Sequence, residues 1–407
     1  MISVVVFYIV CRKISDNIIF SCIAAILFAS SRLTFYNLLE IWGIGESISI
    51  SLILFIIYIL FYYLKKREVR FVVLLPIVLF LLLASHERYF VLLLPVLLSL
   101  LFINARWSRK IIDIGIILAT FALFVVIKVV VFKCDFIPGT EDNPVLINFD
   151  LIFSNFSKIF LNVFQFPLVD TYLFGLTFAD SPAIFKFLSV VSFIAMLIFS
   201  IIFLFILFKT LSNKEKRLKN KLLLKELLSV FLFAFILFAS LLVVKRIESR
   251  FLLLLFALLL LCFAFTINKS VFVFNSSKNK THYSNKITAA GFAVASIFIF
   301  ATNIFAQFNS HNIYLVNDWI EKGNLLYHNV YEPYKTEYQN KTLVLFLENE
   351  KDAYAKDYML QFNLKFGYSF HDYSDRFNYL YQISDEQYNF SVLISIAQNY
   401  EISRLYR

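Results

Sequence analysis

The chain has few of the residues that bend or cross-link a polypeptide, with 8 Gly, 7 Pro and 4 Cys among 407 residues. Scarce glycine and proline favour long uninterrupted helices over a fold built from turns. The cysteines form no C-x-x-C pair, which gives no indication of a disulfide framework or a zinc site. They are Cys11, Cys22, Cys134 and Cys262. Charged residues are scarce as well, at 16%, and no glycine-rich loop that would hold a nucleotide phosphate is present.

The chain is instead rich in apolar residues. They make up 60% of the chain, and 50 residues are Phe, so that the mean hydropathy is +0.75. A soluble domain cannot bury so much apolar surface, which predicts an all-α polytopic membrane protein with about 9–10 transmembrane helices. A membrane β-barrel would need short alternating segments, whereas these runs are continuous. The runs are Ile18–Ser31, Ile48–Leu64, Phe71–Ser85, Tyr89–Ile103, Ile111–Phe132, Leu188–Phe208, Leu227–Val244, Phe251–Ile267 and Ile287–Ala306.

Basic residues cluster in alternate connections between the runs. The net charge of +10 could suggest nucleic acid, but in a membrane protein it is better explained by loops on the cytoplasmic side. If each run crosses once, four basic loops and Arg12–Lys13 share that side. The loops contain Lys65–Arg70, Arg106–Lys110, Lys209–Lys225 and Lys269–Lys286. The predicted localisation is the plasma (inner) membrane, with the tail after residue 306 outside.

Two charged turns interrupt apolar sequence on the predicted outer face. His86, Glu87 and Arg88 divide the stretch Leu82–Ile103, and KRIESR, at residues 245–250, precedes FLLLLFALLLL. Ionisable residues so close to hydrocarbon are costly and are often functional. A purely structural role, capping two helical hairpins, is the alternative.

The segment 32–47, RLTFYNLLEIWGIGES, adds two candidate catalytic acids, Glu40 and Glu46. Glu46 directly precedes an apolar run, where a carboxylate could hold a divalent cation or accept a proton from a hydroxyl. An acid placed there for the helix macrodipole alone would look the same. The predicted substrate-binding residues are His86, Glu87, Arg88, Arg246 and Arg250, because arginine suits phosphate through bidentate hydrogen bonds. A phosphate linked to a lipid is the expected anion.

Two regions differ from the membrane domain, residues 1–306. The external loop 134–187 is rich in Phe and Leu with polar residues interspersed, which predicts interfacial helices. The tail, residues 307–407, predicts a small extracytoplasmic α/β domain. Its strands are expected at Lys341–Leu347 and Asn389–Ala397, with a helix at Asp352–Phe366 between them. The tail shows no spacing typical of metal ligands.

The order of these features resembles the integral-membrane glycosyltransferases of the GT-C superfamily, especially the family 39 and protein-mannosyltransferase type. Such enzymes have an acid before a span, as Glu46 has here, and a charged turn leading into an apolar run with proline, as in His86-Glu87-Arg88 and Pro95. An arginine-led turn entering a late span is matched by Arg246–Arg250. The resemblance implies transfer of a sugar from a polyprenyl-phosphate donor to a lipid, glycan or protein acceptor, with membrane lipids as partners and no nucleic acid. A divalent cation is a possible cofactor.

The chain departs from that family at its start. MISVVVFYIV is too short to span and is interpreted as the end of a helix, so that the family's first span and its first outer loop, which carries an acid, are expected to be missing. His86 also stands where lysine is usual, and histidine is mostly neutral near pH 7.

Three alternatives stay open. A truncated or non-catalytic member of the family would have the same sequence features. An O-antigen polymerase or ligase would also use outer-face arginines, but the 134–187 loop contains none. A transporter or flippase of lipid-linked glycans would have polar residues in mid-membrane and broken helices, and only Lys128 lies well inside a run.

Overall fold

The computed structural model describes residues 2–34, 43–65, 68–103, 105–133, 148–166, 178–179, 181–244, 247, 249–268 and 278–309, and four strands between 342 and 406. The chain divides into two compact units, residues 1–310 and 311–407. The sequence places this boundary at 306/307.

The first unit is mostly helical in its described residues, and each apolar run found in the sequence falls on a helix. The α-helices are α1 Ile2–Ser15, α2 Ile18–Ser30, α3 Gly43–Lys65, α4 Val69–Ser85, α5 Leu93–Leu101, α6 Trp107–Val125, α7 Phe149–Val163, α8 Ala183–Ser212, α9 Lys214–Lys219, α10 Lys221–Leu242, α11 Ser249–Ile267 and α12 Lys278–Asn309. Residues Arg32–Thr34 and Glu87–Leu92 form 3₁₀-helices, and Val126–Val131 continue α6 as a π-helix.

Four of these helices are long and apolar enough to cross a membrane: Gly45–Lys65, Trp107–Val131, Ala183–Ser212 and Lys221–Leu242. Shorter apolar helices cover Ile18–Ser30, Arg70–Ser85, Tyr89–Leu101, Phe251–Ile267 and Ala290–Ala306. The first unit is therefore mostly helical and has the character of a membrane protein.

The run predicted from Tyr89 to Ile103 differs from the prediction in one respect, because its first turns are 3₁₀ and the α-helix begins only at Leu93. Pro95 explains this change. A proline has no N–H to donate and fits the first turn of an α-helix, where N–H groups have no partner within the helix. Pro95 is the third residue of α5, so it marks a helix start.

Helix α11 is the centre of the bundle. From Phe251 to Ile267 every residue except Leu259 is buried, and the helix packs against α1, α2, α7, α8 and α10. A helix that is apolar on all sides belongs inside a protein or a membrane rather than at an aqueous surface. The run FLLLLFALLLL is thus surrounded by protein.

Basic residues from separate connections meet at one end of the bundle, which we call the basic end. The Lys13 ammonium lies over the Tyr62 ring, at 5.5 Å from its centroid, near the C-terminus of α3. The Lys110 ammonium donates to the carbonyl of Leu101, and that of Lys225 donates to the carbonyl of Phe102. Among the residues that the structure describes, the connections around Lys13, Lys110 and Lys225, which the sequence assigns to one side, therefore lie at a common end of the helices.

The second unit contains a four-stranded sheet with the order β2-β1-β3-β4. The strands are β1 Thr342–Leu347, β2 Phe370–Asp372, β3 Ser391–Ile396 and β4 Ile402–Tyr406. β1 and β3 pair in parallel with Leu343 opposite Val392, and both lie within the strands predicted from sequence. The helix predicted at Asp352–Phe366 lies outside the described residues, so the α/β assignment of this unit stays a prediction.

Candidate functional site

Glu46 lies in the first turn of α3 and is buried, with 1% of its surface exposed. A carboxylate at this position interacts favourably with the positive end of the helix macrodipole, typically by about 0.3–1 kcal/mol. That alone does not offset the loss of water around a buried charge, which requires hydrogen-bonding partners. The geometry therefore depends on what surrounds the carboxylate.

One side chain from the next hairpin supplies a hydrogen bond, and a second lies within ion-pair distance. The Tyr89 hydroxyl donates a hydrogen bond to Oε2 of Glu46 at 2.8 Å, and Nε2 of His86 lies 3.0 Å from Oε1. The His86 and Tyr89 rings meet edge to face with centroids 5.6 Å apart. These three residues form the Glu46–His86–Tyr89 cluster. The His86–Glu46 contact is an ion pair when the imidazole is protonated.

The backbone explains why His86 and Tyr89 reach the same carboxylate. His86 is the extended residue that ends α4, and Tyr89 follows three positions later in the 3₁₀-helix. The backbone N–H of Tyr89 donates to the carbonyl of His86 at 3.2 Å, which keeps the two residues adjacent. Beneath them, the Ser49 and Ser85 hydroxyls are hydrogen-bonded at 3.0 Å and join α3 to α4. The cluster therefore lies at the ends of two helices, α3 and α4, that are hydrogen-bonded to each other.

Exposure differs within the cluster. The His86 side chain is 21% exposed, against 1% for Glu46, so the imidazole is the member that an arriving molecule can contact. With Nε2 turned to the carboxylate, Nδ1 is the ring nitrogen that faces away from Glu46. A carboxylate behind an imidazole fixes the orientation of the ring, which is the arrangement of a general base with its positioning acid. The cluster has the components for proton transfer from a hydroxyl.

The structure describes only part of the predicted site. It brings together Glu46 and His86, which the sequence places in separate categories. For Glu87, Arg88 and Arg250 it describes the backbone within their helices but not the side chains, whereas Glu40 and Arg246 lie outside the described residues.

The two charged turns nevertheless lie at the same end of the bundle. Helices α5 and α10 pack against each other, and Lys225 in the second turn of α10 donates to the carbonyl of Phe102, just past the end of α5. The two helices are thus antiparallel, and the C-terminus of α10 points toward the start of α5. The 3₁₀-helix Glu87–Leu92 also packs on α10. Val244 and Ile247, the described residues at the second turn, follow α10 and therefore lie opposite the basic end.

A second polar group at this end was not predicted from the sequence. Arg32 is buried, with 3% of its surface exposed, and its Nη2 donates to Oδ1 of Asn162 at 3.0 Å. Its backbone N–H donates to Oδ1 of Asn303 at 3.0 Å. These hydrogen bonds to two amide side chains hold the arginine in the apolar interior.

Helix α7 connects this group to the end of α10. The side-chain amide of Asn155 donates to the carbonyls of Leu242 and Val244 at 3.0 and 2.8 Å, which have no partner within their own helix. Asn155 and Asn162 are two turns apart, so they share the buried face of α7, while Phe149 and Phe153 are exposed. Two asparagines at that spacing in a Phe-rich segment were the available sequence signal for this arrangement.

Metal binding finds limited support among the residues that the structure describes, where no three His, Cys, Asp or Glu side chains gather. Glu46 and His86 provide two ligands, one short of the three protein ligands of a catalytic zinc site. We therefore propose no step through a cation.

Tyr89 is the residue of the cluster that the sequence analysis did not identify, although it stands three positions after His86.

Comparison with known proteins gives no family assignment: no family model matches the chain, and no curated protein matches it. The case for function therefore depends on the geometry of the cluster and of the two charged turns.

Proposed function

We propose that the protein is a membrane glycosyltransferase that transfers a sugar from a polyprenyl-phosphate-linked donor to a lipid, glycan or protein acceptor. The observation that carries the proposal is the Glu46–His86–Tyr89 cluster at the end of the bundle that also bears both charged turns. A carboxylate-supported imidazole can accept a proton from a hydroxyl. The arginines of the two charged turns are proposed to bind the phosphate of the donor.

The roles divide according to exposure. His86 is the residue that contacts the acceptor hydroxyl and takes its proton, and Glu46 is a positioning residue that acts through it. The acceptor oxygen forms a bond to the anomeric carbon of the sugar while the bond from that carbon to the phosphate oxygen breaks. The polyprenyl phosphate leaves with the bonding electrons, and a single displacement inverts the anomeric centre.

Arg88, Arg246 and Arg250 are proposed to hold the donor phosphate and to stabilise the charge that develops on it as it leaves. Glu87 and Glu40 are proposed to help position the substrates. Arg32 is linked to this end of the bundle through α7. Asn162, which binds Arg32, lies about 10 Å along α7 from Asn155, which binds the carbonyls at the end of α10.

The membrane placement follows from the same proposal. We assign about 9–10 transmembrane helices in a GT-C-like arrangement, counting the shorter apolar helices as spans. The basic end then faces the cytoplasm, and the Glu46–His86–Tyr89 cluster and the C-terminal α/β domain face outward. This places the chemistry in the cell envelope, on the external face of the inner membrane.

A second candidate is favoured by one observation, the 1% exposure of Glu46 with a neighbour at each carboxylate oxygen. On this reading the carboxylate only anchors the turn that follows α4. The protein then binds lipid-linked phosphate without turning it over, as a non-catalytic relative of the transferases would.

The deciding experiment measures release of polyprenyl phosphate by mass spectrometry. The purified chain is reconstituted in nanodiscs with polyprenyl-phosphate hexoses and pentoses, together with a cell-envelope extract that supplies lipid, glycan and protein hydroxyls as acceptors. We expect His86→Ala to lower the release rate by about 10²–10⁴-fold, the usual contribution of a general base, with donor binding retained. Arg250→Ala should weaken donor binding itself. Glu46→Gln should lower the rate by a smaller factor, because it acts through His86.

Glu68→Gln is the matched control, since it also removes a carboxylate near a helix start, where Glu68 pairs with Arg70 at 2.7 Å. It should leave the rate unchanged. Donor binding by the wild type without any release would establish the second candidate. Neither binding nor release across the donor panel would overturn both.

A further inference from the structure

A groove at the basic end is independent of the proposed transferase site. It has a volume of about 500 Å³ and lies between α8, α9 and the first turns of α10. Phe203, Leu207 and Leu211 line one wall, and their spacing of four residues places them on one face of α8. Leu224 and Leu228 line the facing wall. Its volume is within the range of small-molecule sites.

The polar residues that line this groove are all basic. They are Arg217, Lys221 and Lys225, and the remaining lining residues are apolar. Among the described residues no ion pair is formed by Arg217 or Lys221, and both are exposed. The groove thus combines apolar walls with a cationic rim.

The surrounding segment strengthens that positive charge. Between Lys209 and Lys225 the sequence contains the basic residues Lys209, Lys214, Lys216, Arg217, Lys219, Lys221 and Lys225. Partial burial and the neighbouring Lys209 ammonium lower the pKa of Lys216, although Glu215 acts in the opposite direction. An anion placed at the rim would relieve this repulsion between like charges.

We propose that this groove is a binding site for an anionic phospholipid of the leaflet that faces the basic end. The phosphate headgroup pairs with Arg217 and Lys221, and an acyl chain lies between α8 and α10. Basic clusters next to a membrane helix attract anionic lipids by about 1 kcal/mol for each Lys or Arg. A basic linker without apolar walls would attract only the headgroup, whereas this groove also provides a defined position for the acyl chain.

Native mass spectrometry of the full chain in neutral detergent tests the proposal by counting bound lipids in titrations with phosphatidylglycerol and with phosphatidylcholine. We expect Arg217→Gln/Lys221→Gln to weaken phosphatidylglycerol binding by about 30-fold. The matched pair Lys214→Gln/Lys219→Gln removes the same charge from exposed positions outside the groove, and should change the affinity by less than about threefold because salt screens exposed charges that do not contact the phosphate. Phosphatidylcholine should bind weakly to all forms.

A second variant tests the apolar wall. Leu228→Trp fills the groove and should also abolish tight binding, whereas Leu123→Trp places the same side chain on the exposed face of α6 and should not. Unfolding temperatures of all variants confirm that each is folded. Equal losses of phosphatidylglycerol affinity in the two double variants would mean that diffuse positive charge, and not the groove, attracts the lipid. That result would overturn the proposal. So would unchanged binding in Leu228→Trp, competition by inorganic phosphate alone, or a dimer mass showing that a second copy of the chain fills the groove.

Discussion

Helices α3 and α6 are almost equivalent in sequence terms and very different in the structure. The spans Gly45–Lys65 and Trp107–Val131 have mean hydropathies of 2.3 and 2.8. Yet 61% of the most apolar window of the first is buried inside the protein, against 11% of the second. The more apolar span is the more exposed one.

Hydropathy describes compatibility with hydrocarbon, and lipid and protein interior are equally apolar environments. The amount of apolar sequence therefore cannot distinguish a central helix from a peripheral one. Buried polar groups can, since they require partners on neighbouring helices. α3 has Glu46 and Ser49 bonded to the next hairpin. α6 buries Asp113 near its start, but its Thr120 bonds to the carbonyl of Ile116 in its own helix.

The largest expected contrast comes from equal truncations in the two helices. Leu60 is fully buried in α3, and Leu123 in α6 is 54% exposed. Leu60→Ala should lower the free energy of unfolding by about 2–5 kcal/mol because it leaves a cavity in a packed interior. Leu123→Ala should lower it by less than about 1 kcal/mol, because lipid or detergent fills the space.

Reversible unfolding in mixed micelles measures both values. Equal losses for Leu60→Ala and Leu123→Ala would mean that the two helices are equally buried, and would remove the contrast between α3 and α6.

A smaller effect is expected from the hydrogen bond to Glu46. Tyr89→Phe removes a donor to a buried carboxylate and should lower the free energy of unfolding by about 1.5–3 kcal/mol, the range for hydrogen bonds to charged groups. Tyr58→Phe is the control in α3, since the Tyr58 hydroxyl donates only to that of Tyr62, at 3.2 Å. It should have an effect of about 1 kcal/mol or less, and a larger loss in Tyr58→Phe than in Tyr89→Phe would contradict the proposed importance of the cluster.

The bond between helices α3 and α4 should be weaker again. Ser49→Ala breaks the hydroxyl contact with Ser85 and should lower the free energy of unfolding by about 0.6 kcal/mol, the average for hydrogen bonds between membrane helices. Thr120→Ala in α6 loses only a bond within its own helix and should be close to neutral. Thermal unfolding midpoints of the two variants provide the comparison, which fails if Thr120→Ala is the more destabilising.

The smallest effect is expected at an exposed ion pair. Arg12 and Asp16 are 3.1 Å apart with side chains 41% and 68% exposed, and surface pairs contribute about 0–1 kcal/mol. Asp16→Asn should therefore change the unfolding midpoint little. Asp16 has a φ of 51°, which asparagine also tolerates, so a large loss would indicate a partner beyond Arg12.

Much of the fold could be predicted from local sequence. Long apolar runs identify helices because any helix in hydrocarbon must satisfy its own backbone hydrogen bonds, and each run does coincide with a helix. The start of α5 was harder to place, because Tyr89–Leu92, the later part of the 3₁₀-helix, are as apolar as the α-helix that follows.

The site was only partly predictable. Glu46 and His86 stand out because ionisable residues are rare in apolar surroundings, but they are 40 positions apart in a chain that gives no indication of their pairing. Arg32 and Asn162 are farther apart still. Their contact depends on the packing of α7, which a short-range pattern does not contain.

The sequence by itself determined that the protein is helical, apolar and basic at alternate connections, because those properties depend on composition and on neighbours along the chain. Only the tertiary structure decided that α11 is central, that α6 is peripheral and that Glu46 meets His86 and Tyr89. In an apolar environment the position of a helix depends on side-chain packing and on a few polar contacts between helices, and these exist only when distant segments of the chain come together.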